Sequence, residues 1–119
     1  VAREGCATFM TGYQSMDGVP ITLNRWLLND VLKQEWGFTG TLVTDWDNVG
    51  RMVWEQKVCA DLVDAAAQAV RAGNDLVMTT PGFFEGAQTA VEQGETLPIL
   101  RKPFTAETLA QAVCDALAG

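Results

Sequence analysis

An α/β fold of parallel βα units is the architecture this sequence predicts, and three observations predict it. Short apolar runs rich in β-branched residues alternate with amphipathic stretches at helical spacing. The breaks between them carry Gly, Pro or Asp, and the strand-break-helix pattern recurs four times in 119 residues.

Taken in order, Ala7 to Tyr13 is the first strand candidate. After a turn at Asp17-Gly18-Val19-Pro20, the spacing predicts a helix from about Asn24 to Trp36 with Leu27, Leu28, Val31 and Leu32 on one face and Gly37 as its stop. Thr41-Leu42-Val43-Thr44-Asp45 is the clearest strand, followed by a helix over 58–72 with Leu62, Ala65, Ala66, Ala69 and Val70 inward and Gly73 at its end. Asp75 to Thr79 is the third strand; Pro81-Gly82 then leads into a short helix, Glu85 to Gln93, stopped by Gly94. Leu97 to Arg101 is the fourth strand, with Pro98 marking its start or a sheet edge because proline donates no ladder hydrogen bond. Thr105 caps a last helix whose stripe is Leu109, Ala112, Val113, Ala116 and Leu117.

Right-handed crossovers place the carboxyl ends of these strands on one rim, where Asp45, Asp47, Thr79, Thr80 and Lys102 meet. Two arrangements satisfy the pattern: a partial TIM barrel, in which sequential strands are neighbours, and a flavodoxin-like open sheet, which needs a further central strand. The length fits a single domain over 1–119 and is too short for a complete barrel of about 250 residues.

Fifteen acidic against eight basic residues give a net charge of -7, which opposes nucleic-acid binding by repelling phosphates. No apolar run approaches the roughly 20 residues needed to span a bilayer, and the start, Val1-Ala2-Arg3-Glu4-Gly5-Cys6, lacks a signal-peptide pattern and reads as the interior of a longer parent. Three widely spaced cysteines and no histidine suggest neither a disulfide framework nor a zinc site, so a soluble, reducing, cytoplasmic (or recombinant) setting is expected.

The ordered series Met10-Thr11-Gly12-Tyr13, Asp17-Gly18-Val19-Pro20, Asn24-Arg25-Trp26-Leu27-Leu28, Glu35-Trp36-Gly37-Phe38-Thr39-Gly40 and Val43-Thr44-Asp45-Trp46, continuing through Ala65 to Met78, resembles the family 3 glycoside hydrolases, β-glucosidase type. The resemblance covers about residues 1–80 and implies that Asp45 is the nucleophile of a retaining hydrolysis, which needs two carboxyl groups about 5 Å apart. It implies too that the sugar is held by Asp, Arg and Lys-His side chains on earlier barrel strands and that the acid/base comes from a later domain, neither of which this chain contains. Tyr13 and Trp46 are the substrate-binding candidates beside Asp45. The plainer reading is that Asp45 is a strand-end carboxylate, with Tyr13 and Trp46 packing at the rim and Trp26 and Trp36 supplying buried area.

From Phe83 onward, Gly86-Ala87, Leu97-Pro98-Ile99-Leu100-Arg101-Lys102-Pro103-Phe104 and Glu107 to Val113 resemble the end of a response-regulator receiver. That resemblance implies a phosphoacceptor set of Asp45, Thr79 or Thr80, and Lys102, a cis Lys102-Pro103 peptide, and Mg²⁺ as cofactor; otherwise no cofactor is expected. A metal held by Asp45 and Asp47 alone is weak, because hard cations want several oxygens, and Lys102 is otherwise a solvated cation or a partner of Asp45. The expectation is therefore a chimera, glycosidase-like over 1–82 and receiver-like over 83–119, that serves as a folding scaffold without intact catalysis. A partner-completed glycosidase and a phosphoacceptor are the alternatives. Exposed sheet edges or an exchanged helix favour homo-oligomers, and a sugar ligand is not expected without the missing barrel parts.

Overall fold

The computed structural model describes residues 1–95 and 105–118. Four short strands occur among them: β1 (Thr8–Thr11), β2 (Ser15–Met16), β3 (Val19–Pro20) and β4 (Thr41–Thr44). β1 and β4 pair in parallel, with Thr8 opposite Thr41 and Thr11 opposite Thr44. β2 and β3 form a small hairpin around Asp17 and Gly18, both at positive φ, the conformation that tight hairpin turns demand. The segment at Leu76 lies on the other side of β4 and bridges Val43 in parallel. Sequential segments are thus neighbours, the order of a partial barrel.

The expected strand from Asp75 to Thr79 is reduced to that single bridge, because side chains take over positions a ladder would use. The Asp75 carboxylate accepts the Leu42 amide at 2.8 Å, and the Met78 amide donates to the Thr44 hydroxyl at 2.9 Å. Backbone bonds from Asp75 N–H to Leu42 O at 2.9 Å, from Leu76 N–H to Leu42 O at 3.1 Å and from Thr44 N–H to Leu76 O at 3.0 Å hold the segment alongside β4.

The first helix longer than one turn runs over Trp26–Glu35 and is wound as a π-helix, a form usually confined to single turns. The Asn24 side chain accepts the Leu27 amide at 3.0 Å to start it, and Trp36 N–H closes on Val31 O, five residues back, at 2.8 Å. Leu28 and Leu32 are buried, whereas Leu27 and Val31 are half-buried. Leu28 and Leu32 pack with Phe38, Leu42 and Ala72, and Phe9 and Phe38 meet edge to face at 5.0 Å.

Four α-helices follow: α1 (Asn48–Trp54), α2 (Leu62–Ala72), α3 (Phe83–Glu92) and α4 (Ala106–Ala118). α2 begins later than its apolar spacing predicts because Asp61 caps it. Asp61 accepts the Asp64 amide at 2.9 Å while Asp64 accepts the Ala60 amide at 3.0 Å, a reciprocal cap that fixes the start. Gly73, at φ 109, ends it in the left-handed conformation that a C-terminal glycine supplies. Ala65 and Ala69 pack with Val49, Met52 and Cys59 in a second apolar cluster. Thr105 caps α4 as expected, accepting the Thr108 amide at 3.1 Å. The stripe of α4 is not buried: Leu109, Val113 and Leu117 are exposed. Lys102, the strand from Leu97 to Arg101 and the Lys102-Pro103 peptide lie outside the described residues.

All three cysteines are free, and Cys59 is buried. Burial, followed by the Asp64 and Asp61 carboxylates, pushes its thiol up to about 11 from an ordinary 9.0. The unfolded chain then loses this proton before the folded chain does, so the contribution is complete below about pH 9 and is lost as pH rises towards 11. Chemical denaturation across that range is expected to show a shallower fall in stability for Cys59→Ala than for the wild type; identical slopes would contradict the assignment.

Candidate active site

The parallel alignment of β1, β4 and the Leu76 segment brings their carboxyl ends to one rim. Asp45 is the first residue beyond β4 and is half-buried, its Oδ1 accepting the amide of Trp46 at 2.6 Å. Tyr13 follows β1 by two residues, and its hydroxyl donates to the Trp46 carbonyl at 2.8 Å. One hydrogen bond therefore ties the loop after β1 to the loop carrying Asp45. Desolvation, followed by the nearby Asp45 carboxylate, raises the Tyr13 phenol above its ordinary 10.0, while Arg51 acts in the opposite direction. The phenol therefore stays protonated, a donor, throughout the neutral range.

Asp47 sits at φ 49, and its amide donates to the Thr79 carbonyl at 3.0 Å, which joins the β4 loop to the third segment. Thr79 is exposed; Thr80 is half-buried and donates to the Met78 carbonyl at 3.4 Å. Tyr13, Asp45, Trp46, Asp47, Thr79 and Thr80 thus belong to one rim. The packing role expected of the aromatics is not what is found: Tyr13 is 37% exposed, Trp46 54%, and Trp26 and Trp36 are also open to solvent. A rim aromatic open to solvent can meet a ligand, which a core aromatic cannot. Among the described residues no group of three or more His, Cys, Asp or Glu is arranged to hold a metal ion.

Sequence reasoning missed α1, which furnishes the supports of this rim. Asn48 is 1% exposed and donates through Nδ2 to the carbonyls of Thr11 at 3.2 Å and Gly12 at 3.3 Å, the end of β1. Trp54 Nε1 donates to Asp47 Oδ2 at 3.2 Å, and Gln56 Nε2 donates to the Tyr13 carbonyl at 2.9 Å. The available signal is the spacing of Val49, Met52 and Val53, apolar at i, i+3 and i+4. Asn48→Leu keeps the branched shape but leaves two strand-end carbonyls without their donor, and is expected to cost about 1–3 kcal/mol. A urea midpoint equal to that of the wild type would show that Asn48 does not hold the two loops together.

With this geometry in place, the relatives become informative. Residues 1–106 match the N-terminal domain of glycosyl hydrolase family 3, and the chain belongs to that family. It is 38% identical over 91 residues to the periplasmic β-glucosidase of Salmonella typhimurium, covering 76% of this chain and 12% of that protein. It is 37% identical over 76 residues to a β-xylosidase of Formosa agariphila, covering 64% of this chain and 10% of that one. Among solved structures, a β-glucosidase involved in saponin metabolism from intestinal bacteria superposes with a TM-score of 0.77 at 55% identity, over 98% of this chain and 14% of that one. The chain thus spans roughly a tenth to a seventh of the length of these relatives. The fold is accordingly of the TIM-barrel type.

These matches correct the chimeric reading. The family match runs across the supposed junction at 82/83 to residue 106, so most of the stretch read as receiver-like carries the same family signature as the rest, and nothing supports a receiver portion. Among the described residues, no helix is long and apolar enough to cross a membrane.

Proposed function

We propose that this chain is the nucleophile-bearing part of a retaining β-glycosidase, β-glucosidase in type, in which Asp45 attacks the anomeric carbon. The observation that supports this best is the placement of Asp45 directly beyond β4, on the rim where the three parallel segments end, with Tyr13 bonded to its neighbour Trp46. Catalytic groups of such barrels gather at that rim. A fixed carboxylate there performs the first half of a double displacement: the Asp45 oxygen bonds to the anomeric carbon as the glycosidic bond breaks, and a second carboxylic acid protonates the departing oxygen. Water then cleaves the glycosyl ester, its proton going to that second carboxylate. The 119 residues supply the nucleophile and the aromatic wall beside it; the acid/base and the remaining sugar contacts come from outside them. On its own the chain is a folded element without turnover.

The test exchanges this segment into the Salmonella typhimurium β-glucosidase and follows hydrolysis of an aryl β-glucoside by proton NMR. The first-formed sugar is expected to be the β-anomer, as two inversions require. An α-anomer formed first would contradict the double displacement.

A further inference from the structure

Arg51, on the largely buried helix α1, is the charged group that the reaction as described leaves unused. The centre of its guanidinium lies 4.5 Å from the centroid of the Tyr13 ring and 5.2 Å from that of Trp54. Its Nη1 donates to Glu55 Oε2 at 2.5 Å, one turn along α1, and its Nε is buried without a hydrogen-bond partner among the described residues. A guanidinium that leaves a buried N–H unbonded while lying over two aromatic faces is committed to stacking, an arrangement that a planar cation supports and an ammonium does not.

Tyr13 is then held from three directions. Gln56 takes its carbonyl, the Trp46 carbonyl takes its hydroxyl, and Arg51 covers its ring. Two of these three contacts come from α1 or the residues directly after it, and the same helix fixes Asp47 through Trp54 and the end of β1 through Asn48. We infer that Arg51 is a positioning residue that clamps the Tyr13 ring so that its hydroxyl stays on the Trp46 carbonyl, fixing the loop that presents Asp45. The inference rests on the reading of this rim as the glycosidase site, and it adds the means by which the β1 and β4 loops are locked to one another.

The sequence contains one tyrosine, so both probes of the phenol report on Tyr13 alone. The charged groups acting on it are Asp45 and Asp47, which raise its pKa, and Arg51, which lowers it. Absorbance titration of the phenolate by rapid pH jump is expected to give a higher midpoint in Arg51→Met than in the wild type, with Arg51→Lys nearer the wild type because it keeps the charge. Nitration by tetranitromethane at pH 8 is expected to run several-fold faster in both variants, since a lysine cannot cover the ring as a guanidinium does. That split between charge and coverage is one a merely structural role does not produce. Circular dichroism establishes that each variant is folded; Arg51→Lys carries the nitration test if Arg51→Met is not. Titration and nitration unchanged in a folded variant would overturn the clamp and leave Asp45 to the product-anomer experiment. An α-anomer formed first there would overturn Asp45 as the nucleophile of a double displacement while the clamp stood.

Discussion

In the exchanged enzyme, Asp45→Asn is expected to lower turnover of an aryl β-glucoside by on the order of 10³-fold or more, with little change in stability. An amide of the same shape can still accept the Trp46 amide through its oxygen, as Asp45 Oδ1 does at 2.6 Å, so the loop keeps its form. What it lacks is a nucleophilic oxygen able to form the glycosyl ester, and losing a nucleophile removes nearly all of the barrier lowering that the site provides. Asp45→Ala offers a sharper version, because azide can occupy the vacated space and attack the anomeric carbon itself. It displaces the aglycone and yields an α-glycosyl azide by a single inversion. Turnover within tenfold of the wild type in Asp45→Asn would remove Asp45 from the mechanism.

Leu42→Ala is expected to produce the largest loss of stability. Leu42 is 1% exposed, lies in β4 between β1 and the Leu76 segment, and packs against Leu28, Leu32, Phe38 and Ala72. Truncation removes three methyl or methylene-sized groups and leaves a hole that the surrounding strands and π-helix cannot collapse to fill, at a cost of about 2–5 kcal/mol. Against the roughly 5–15 kcal/mol typical of a domain, that is a large share. Leu109→Ala is the matched control: Leu109 lies on α4, is 41% exposed, and its truncation is expected to change stability by no more than about 0.5 kcal/mol. Equal shifts in the two urea midpoints would mean that the Leu42 cluster is not the core.

The contrast between these two leucines shows what the sequence could convey. The apolar spacing around each is helical or strand-like in the ordinary way, and β4 and α2 were legible because alternation and period report directly on which face is buried. Spacing does not report what covers that face, so the stripe of α4 read as core although it is exposed. The third strand was misread for a different reason. Thr44 and Asp75 use their side chains where a ladder would use backbone, and a hydroxyl or carboxylate gives no advance notice of that choice.

The site was legible at Asp45, Tyr13 and Trp46, which stand in a long ordered series, and hidden at Asn48, Arg51 and Trp54. α1 is only seven residues long and contains Gly50, which reads as a break. Its reason is steric: a Cβ there would lie 2.2 Å from Asp47 Oδ1, so the glycine admits the carboxylate that Trp54 binds. The supports of the rim are therefore residues whose roles exist only once the loop has closed over them.

The most direct test of Asp45 as the nucleophile is covalent trapping. The exchanged enzyme is incubated with 2-deoxy-2-fluoro-β-glucosyl fluoride, whose good leaving group permits the first step while the fluorine slows the second, and the digest is mapped by mass spectrometry. The account predicts one fluoroglucosyl ester, on Asp45 and absent from Asp45→Asn; an ester on Asp47 or any other carboxylate would contradict it.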